Sequence, residues 1–278
     1  MPHLVKWNDE LSPFGLMIIA PHVQKAESDA IVAKSKAMRL NFSVMEGGGI
    51  KGSDFSGIPH SFIFDHAGGL VYEGQPTAEA EKKMRVAVGQ ALVDRTEKST
   101  FTKSVQPLVD ALKKGISPKL VLQKAVTLQK TDADAKVLVE AMTRDGKEQL
   151  EAAEENPDKI FVYSLAARLA GIYKGTPVGI KANDVSTKLK ADKFVQQELA
   201  ARPKLEALQR LDAAIEQSAA NNKAIKEFDP TSKEVHKIYA VQIRQIKTTV
   251  TDMRTKMPTA ESTIEAVAIA EKYGILLK

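Results

Sequence analysis

The residue types that most often carry chemistry are sparse in this chain. It has no cysteine, which removes disulfide exchange, zinc–thiolate sites, iron–sulfur clusters and cysteine nucleophiles together. Five histidines, His3, His22, His60, His66 and His236, are the imidazoles available as general bases or ligands. Their spacing fits no zinc template. His22 follows an apolar run, at the end of an expected strand, where α/β folds place functional residues. The stretch Met45-Glu-Gly-Gly-Gly-Ile-Lys-Gly-Ser53 is rich in glycine. No helix is expected after it, and its Lys-Gly-Ser order is not that of a phosphate-binding loop, so it reads as a flexible loop. Asp132-Ala133-Asp134 lacks the remaining ligands of a calcium loop and reads as the charged start of a helix. With no Ser–His–Asp arrangement, nucleotide fingerprint or run of metal ligands, no cofactor and no metal are expected.

The elements that would position these residues change character near residue 96. Before it, Gly15–Ala20 reads as a buried strand and Asp29–Met38 as an amphipathic helix. Leu40–Met45 alternates with period two, as a strand does. Ser61–Asp65 and Leu70–Glu73 flank the turn-rich His66-Ala-Gly-Gly69, the pattern of an antiparallel hairpin. Pro76 and Thr77 then open a helix to about Asp94. Strands alternating with helices predict an α/β domain over residues 1–96. Residues 97–278 predict an all-α helical domain, rich in Ala, Leu, Lys, Glu and Gln. Its breaks fall at Gly115–Pro118, Asn156-Pro157, Gly175–Pro177, Asp229-Pro230 and Met257-Pro258. Tyr173–Ala182 and Met257–Ala266 each place a Pro/Thr turn before a helix, which suits either tetratricopeptide-like hairpins or a plain bundle. Pro203 is expected to kink or divide the helical stretch 194–220, and Trp7 to pack the first helix against the sheet.

Composition limits the partners. The chain is 43% hydrophobic and 27% charged, enough to bury a real core. No run approaches the roughly 18 apolar residues of a membrane span, and no membrane partner is expected. Leu16–Ala20 is too short for the core of an export signal. The net charge of +5 belongs to residues 97–278, with 30 basic and 24 acidic side chains, whereas residues 1–96 carry 10 and 11. Lysines alternate with glutamates at Lys147-Glu148 and Lys223–Glu227, as on solvated helix faces. With aromatic residues also scarce there, nucleic acid is disfavoured as a partner and a protein or peptide is favoured.

One segment resembles a known family. Gly57-Ile-Pro-His-Ser-Phe-Ile-Phe-Asp-His-Ala-Gly-Gly-Leu-Val-Tyr-Glu-Gly74 is similar to the closing half of thioredoxin-like proteins, especially redoxins and membrane-tethered thiol–disulfide oxidoreductases. The Gly-Ile-Pro before the first hairpin strand, the Asp at its end, the glycine turn and the final Gly before a helix all correspond. The resemblance implies a cis Ile58–Pro59 bond. It also implies a substrate-binding loop at Ile58, Pro59 and His60, the last standing where relatives often have a small residue. Upstream, Gly15–Met45 looks like the family's strand–helix–strand, and residues 1–11 like the remainder of its active-site helix. The resemblance thus covers residues 1–94, and both the Cys-x-x-Cys and the central strand leading into it would lie before Met1. Three arrangements would account for this: a start assigned at an internal methionine, a truncated copy, or a partner strand filling the gap.

Two functions follow as expectations. By resemblance, the chain belongs to a thiol–disulfide oxidoreductase whose redox cysteines it lacks, exported if its start is truncated. The alternative is a non-catalytic scaffold that binds a protein partner between the helices of residues 97–278. Translation upstream of Met1 separates them: the first expects Cys-x-x-Cys within about ten residues, and its absence there removes that reading.

Overall fold

The computed structural model describes residues 2–22, 27–38, 40–47, 59–222, 225 and 227–277. Contacts divide the chain into two units, Met1–Asn156 with Leu165–Asp184, and Pro157–Ser164 with Val185–Lys278.

In the first unit, α1 (Pro2–Leu11) runs into a 3-10 turn at Ser12–Phe14. Gly15 closes that turn with φ of 95°, its N–H on the Ser12 carbonyl. A side chain is rarely tolerated at such a φ. The first strand, expected over Gly15–Ala20, instead runs as β1 from Ile19 to His22. Helix α2 (Ser28–Ala37) leads to β2 (Ser43–Glu46), which pairs with β1 in parallel, Ile19 opposite Ser43 and His22 opposite Glu46. The hairpin β3 (Ser61–Phe64) and β4 (Leu70–Gly74) is antiparallel. Its turn is tied by Asp65, whose Oδ1 accepts the N–H groups of Ala67 and Gly69 at 3.0 and 2.8 Å.

The expected thioredoxin-like α/β domain is not what forms. Of the described residues 67% are helical, and the four short strands among them make two two-stranded sheets. The physical reason lies in what is buried. Ile19, Met45, Phe64 and Leu70 on these strands stay substantially exposed, and a two-stranded sheet is marginal alone. The core comes from helices instead: α3 (Ala78–Asp94), α4 (Gln106–Lys113), α5 (Pro118–Leu128) and α6 (Ala133–Glu154). These helices bury Leu92, Leu112, Leu122, Leu138, Met142 and Leu150. A helix presents its apolar stripe to several neighbours at once, and the stripes of these four close on one another. The all-α character of the later chain is as expected.

Trp7 does pack where anticipated, with Leu11 of α1, Met84 of α3 and Ile63 of β3. Helices α7 (Lys159–Ile172) and α8 (Pro177–Lys190) follow. The second unit contains α9 (Lys193–Ala220), α10 (Lys233–Ile238), α11 (Ala240–Lys256) and α12 (Glu261–Lys272). Helices α9, α11 and α12 pack together around Leu205, Leu208, Ile215, Ile246, Val250, Met253 and Ala266. Pro203 does not divide α9, which is continuous through it. Proline removes the bond to the carbonyl four residues back. Pro203 faces solvent, the side on which a carbonyl freed of its helical partner costs least.

Glycine permits several close approaches in the first unit, among them one at Gly146. Tyr173, just past α7, is fully buried against α6 at Gly146, where a Cβ would fall inside its ring. The phenol donates to the Pro13 carbonyl, and the ring meets Phe14 edge-on at 5.7 Å. Gly146→Ala should destabilise the protein by about 1–3 kcal/mol through overpacking, read as a lower urea midpoint. An unchanged midpoint would show that the ring moves aside freely.

Candidate functional site

The loop expected to bind substrate is only partly within the described residues. Ile58, and with it the geometry of the Ile58–Pro59 bond, lies outside them, as do Gly48–Ser53 of the glycine-rich loop. Pro59 is exposed and His60 half-buried. The His60 ring tilts against Phe62 at 5.0 Å, with Nε2 at 3.4 Å from a Glu73 carboxylate oxygen on β4. His60 is thus engaged with its own hairpin.

The other histidines are dispersed. His3 lies against Trp7, His66 stands 3.3 Å from Asp94, and His236 Nε2 is 3.0 Å from the Tyr273 carbonyl. Backbone pairing puts His22 at the end of β1 opposite Glu46. Among the described residues, no three His, Asp or Glu side chains are grouped to hold a metal ion.

Asp132 is the helix cap expected of it. It accepts the N–H groups of Asp134 and Ala135, and the Thr102 and Ser104 hydroxyls at 2.7 and 2.5 Å. The Ser104 hydroxyl, and then that of Thr102, hold its carboxyl below the usual range. Asp134 accepts from the Lys98 ammonium and the Thr102 N–H. These charges are consumed in fastening residues 98–104 to the start of α6.

In the second unit the polar groups converge on α9, whose length lets it hold both ends of α12. At one end, Glu198 is 2% exposed and accepts the Ser262 N–H at 3.1 Å and hydroxyl at 2.7 Å. It therefore does from a distance what an N-cap side chain does locally. The Arg202 guanidinium donates to the same carboxylate at 3.0 Å. Burial opposes the ionised form, but the Ser262 and Arg202 donors outweigh it and hold the carboxyl below its ordinary value. Gln197 adds a 2.7 Å bond from Thr259.

At the other end, Lys272 reaches Asp212 and Glu216, each at 2.7 Å, and the Tyr273 phenol donates to Asp212 at 2.7 Å. Burial, then the bond to Asp212, raises the phenol far above its ordinary pKa. It is a donor held in place and not a base. Beside the C-terminal end of α9 lies a depression of about 630 Å³ lined by Ala214, Gln217, Ser218, Asn221 and Asn222. It brings together amides and a hydroxyl but no nucleophile–base pair.

Sequence reasoning passed over Glu198, Asp212, Tyr173 and Tyr273. Their only signal was an acidic or aromatic residue in an otherwise ordinary helical pattern, and each gains its partner from a distant segment. What fold and side chains define together is a mainly helical protein with two small sheets, in which Glu198, Tyr173 and Tyr273 hold helices in place. Comparison with protein-family models, with curated proteins and with solved structures finds no match.

Glu198→Ala should lower stability by about 1–3 kcal/mol by leaving the Ser262 donors unpaired. The folded carboxyl ionises at lower pH than in the unfolded chain. Its contribution is therefore complete above the unfolded pKa, about 4.3, and is lost as pH falls through the lower folded value. Urea midpoints measured across that interval should fall more steeply for the native chain than for Glu198→Gln. Parallel curves would contradict the assignment.

Proposed function

We propose that this is a non-catalytic binding protein that presents its helices to another protein. The observation that carries the reading is the contrast between its inside and its outside. Inside, the carboxylates, cations and phenols described above are matched to one another or to the backbone. Outside, aliphatic side chains stand on helical surfaces: Leu120 on α5 is 55% exposed, Ile180 on α8 61%, Val241 on α11 75% and Ile264 on α12 67%. Single exposed aliphatics are common on any protein surface. Here they stand on several helices, Val32 on α2 and Ile238 on α10 included, of a chain that carries no thiol nucleophile. Anchors of this kind, ringed by polar residues, are what a helical docking surface offers.

Thiol–disulfide exchange needs a thiolate to attack a disulfide sulfur, and this chain has none to supply. Among the described residues, no helix is long and apolar enough to cross a membrane. A partner in solution is in keeping with both facts.

The test is photo-crosslinking in the native source. A photoreactive residue is placed in turn at Leu120, Ile180, Val241 and Ile264, and at Phe64 on the hairpin for comparison. The expected result is a discrete protein adduct, identified by mass spectrometry, from one or more of the helical positions. No adduct from any of them would sink the reading, as would disulfide reduction by the purified chain.

A further inference from the structure

Between Asp110 and Asp132 the sequence contains Lys113, Lys114, Lys119, Lys124 and Lys130 and no carboxylate. Residues 159–183 also lack a carboxylate, but they spread four basic side chains over 25 residues, whereas residues 111–131 place five in 21. Four of them flank one turn: α4 ends at Lys113 with Lys114 next, Gly115 at φ of 78° turns the chain, and α5 begins at Pro118 with Lys119 and Lys124 in its first two turns. Lys130 lies past the far end of α5. Lys113, Lys114, Lys124 and Lys130 are exposed and Lys119 half-exposed. None of the five forms an ion pair among the described residues. The nearby carboxylates of Glu10 and Glu81 are taken by Arg85, at 2.7 Å each, and Glu10 also receives the Ser117 hydroxyl.

Two aliphatic side chains sit among these charges. Ile116 in the turn is 49% exposed and Leu120 on α5 is 55% exposed. The remaining apolar face of α5 is not available to a ligand, since Val121, Leu122 and Ala125 are buried in the core. The turn therefore offers two exposed aliphatic side chains that lie in sequence between Lys113-Lys114 and Lys124, with Lys119 beside Leu120.

We infer that the α4–α5 corner docks an acidic protein segment, its aliphatic side chains seated on Ile116 and Leu120 and its carboxylates on Lys113, Lys114, Lys119 and Lys124. This rests on the binding-protein reading above. Charge complementarity selects the occupant. Residues 111–131 contain no arginine to grip phosphate in bidentate fashion and no aromatic ring to stack a base, which disfavours nucleic acid. A lipid surface is engaged by a broad apolar face, and here that face is turned inward.

The experiment uses the full chain and fluorescence anisotropy with a labelled peptide of repeating Glu-Leu-Glu-Glu. Parallel measurements use phosphatidylserine–phosphatidylcholine vesicles and mixed-sequence double-stranded DNA. The peptide should bind and weaken with added salt. Lys113→Glu with Lys124→Glu should weaken it about tenfold or more, and Ile116→Ser with Leu120→Ser should weaken it as well. Arg244→Glu with Lys247→Glu on α11 makes the same change in net charge at exposed positions outside α4 and α5 and should alter binding by less than about twofold. Circular dichroism establishes that each variant is folded. Absence of peptide binding, or equal loss in the α11 pair, would overturn the inference. Tighter capture of vesicles or DNA through the same lysines would overturn it in favour of that ligand. If the peptide fails while crosslinks from other helices persist, only this inference falls. If no helical position crosslinks, the reading beneath it falls too.

Discussion

The first unit depends on the seat that α6 leaves for the ring of Tyr173. Gly146 removes a side chain from the middle of a 22-residue helix, a position where glycine costs roughly 1 kcal/mol in helix propensity. The ring that fills the space is fully buried, and its hydroxyl satisfies the Pro13 carbonyl. One side chain thereby joins the end of α7, the middle of α6 and the turn after α1. Gln149 reinforces the join by donating to the Ser12 carbonyl at 2.7 Å, and Arg95 pairs with Asp145 beside it. Buried polar groups of this kind are costly unless every one is matched, so the arrangement fixes where the N-terminal elements sit on the helices.

The second unit uses a different device. Helix α9 is long because Asp192 caps its start, accepting from the N–H groups of Phe194 and Val195, and because Pro203 falls on its solvent side. That length allows Glu198 to hold the start of α12 while Asp212 and Glu216 hold its end. Charge is being used for alignment in both units.

Much of the fold is legible in local sequence. The breaks at Gly115–Pro118, Asn156-Pro157, Gly175–Pro177, Asp229-Pro230 and Met257-Pro258 all lie between helices, because glycine and proline act on the residues beside them. The hairpin turn at 65–69 and the cap at Asp132 follow from the same short range. The sheet was not legible. Period-two alternation marks a strand but does not say which strand it pairs with, and the short strands here close into two pairs. The expected α/β domain assumed a union that the backbone does not make. Of the loop expected to bind substrate, Pro59 and His60 are placed, and His60 faces Glu73.

By itself the sequence determined the absence of thiol chemistry, the positions where helices stop, the predominance of helix after residue 100 and the run of lysines between Asp110 and Asp132. Each of these depends on residue identity alone, or on neighbours within a turn or two. Tertiary structure decided the rest. It chose Gly146 as the seat for Tyr173, gave Glu198 to Ser262 across 64 residues, paired the described strands two by two, and left Ile116 and Leu120 exposed beside the α4–α5 turn. Those outcomes depend on which surfaces fit and which charges meet once the chain is closed, and contacts between distant segments leave no periodic trace in the order of residues.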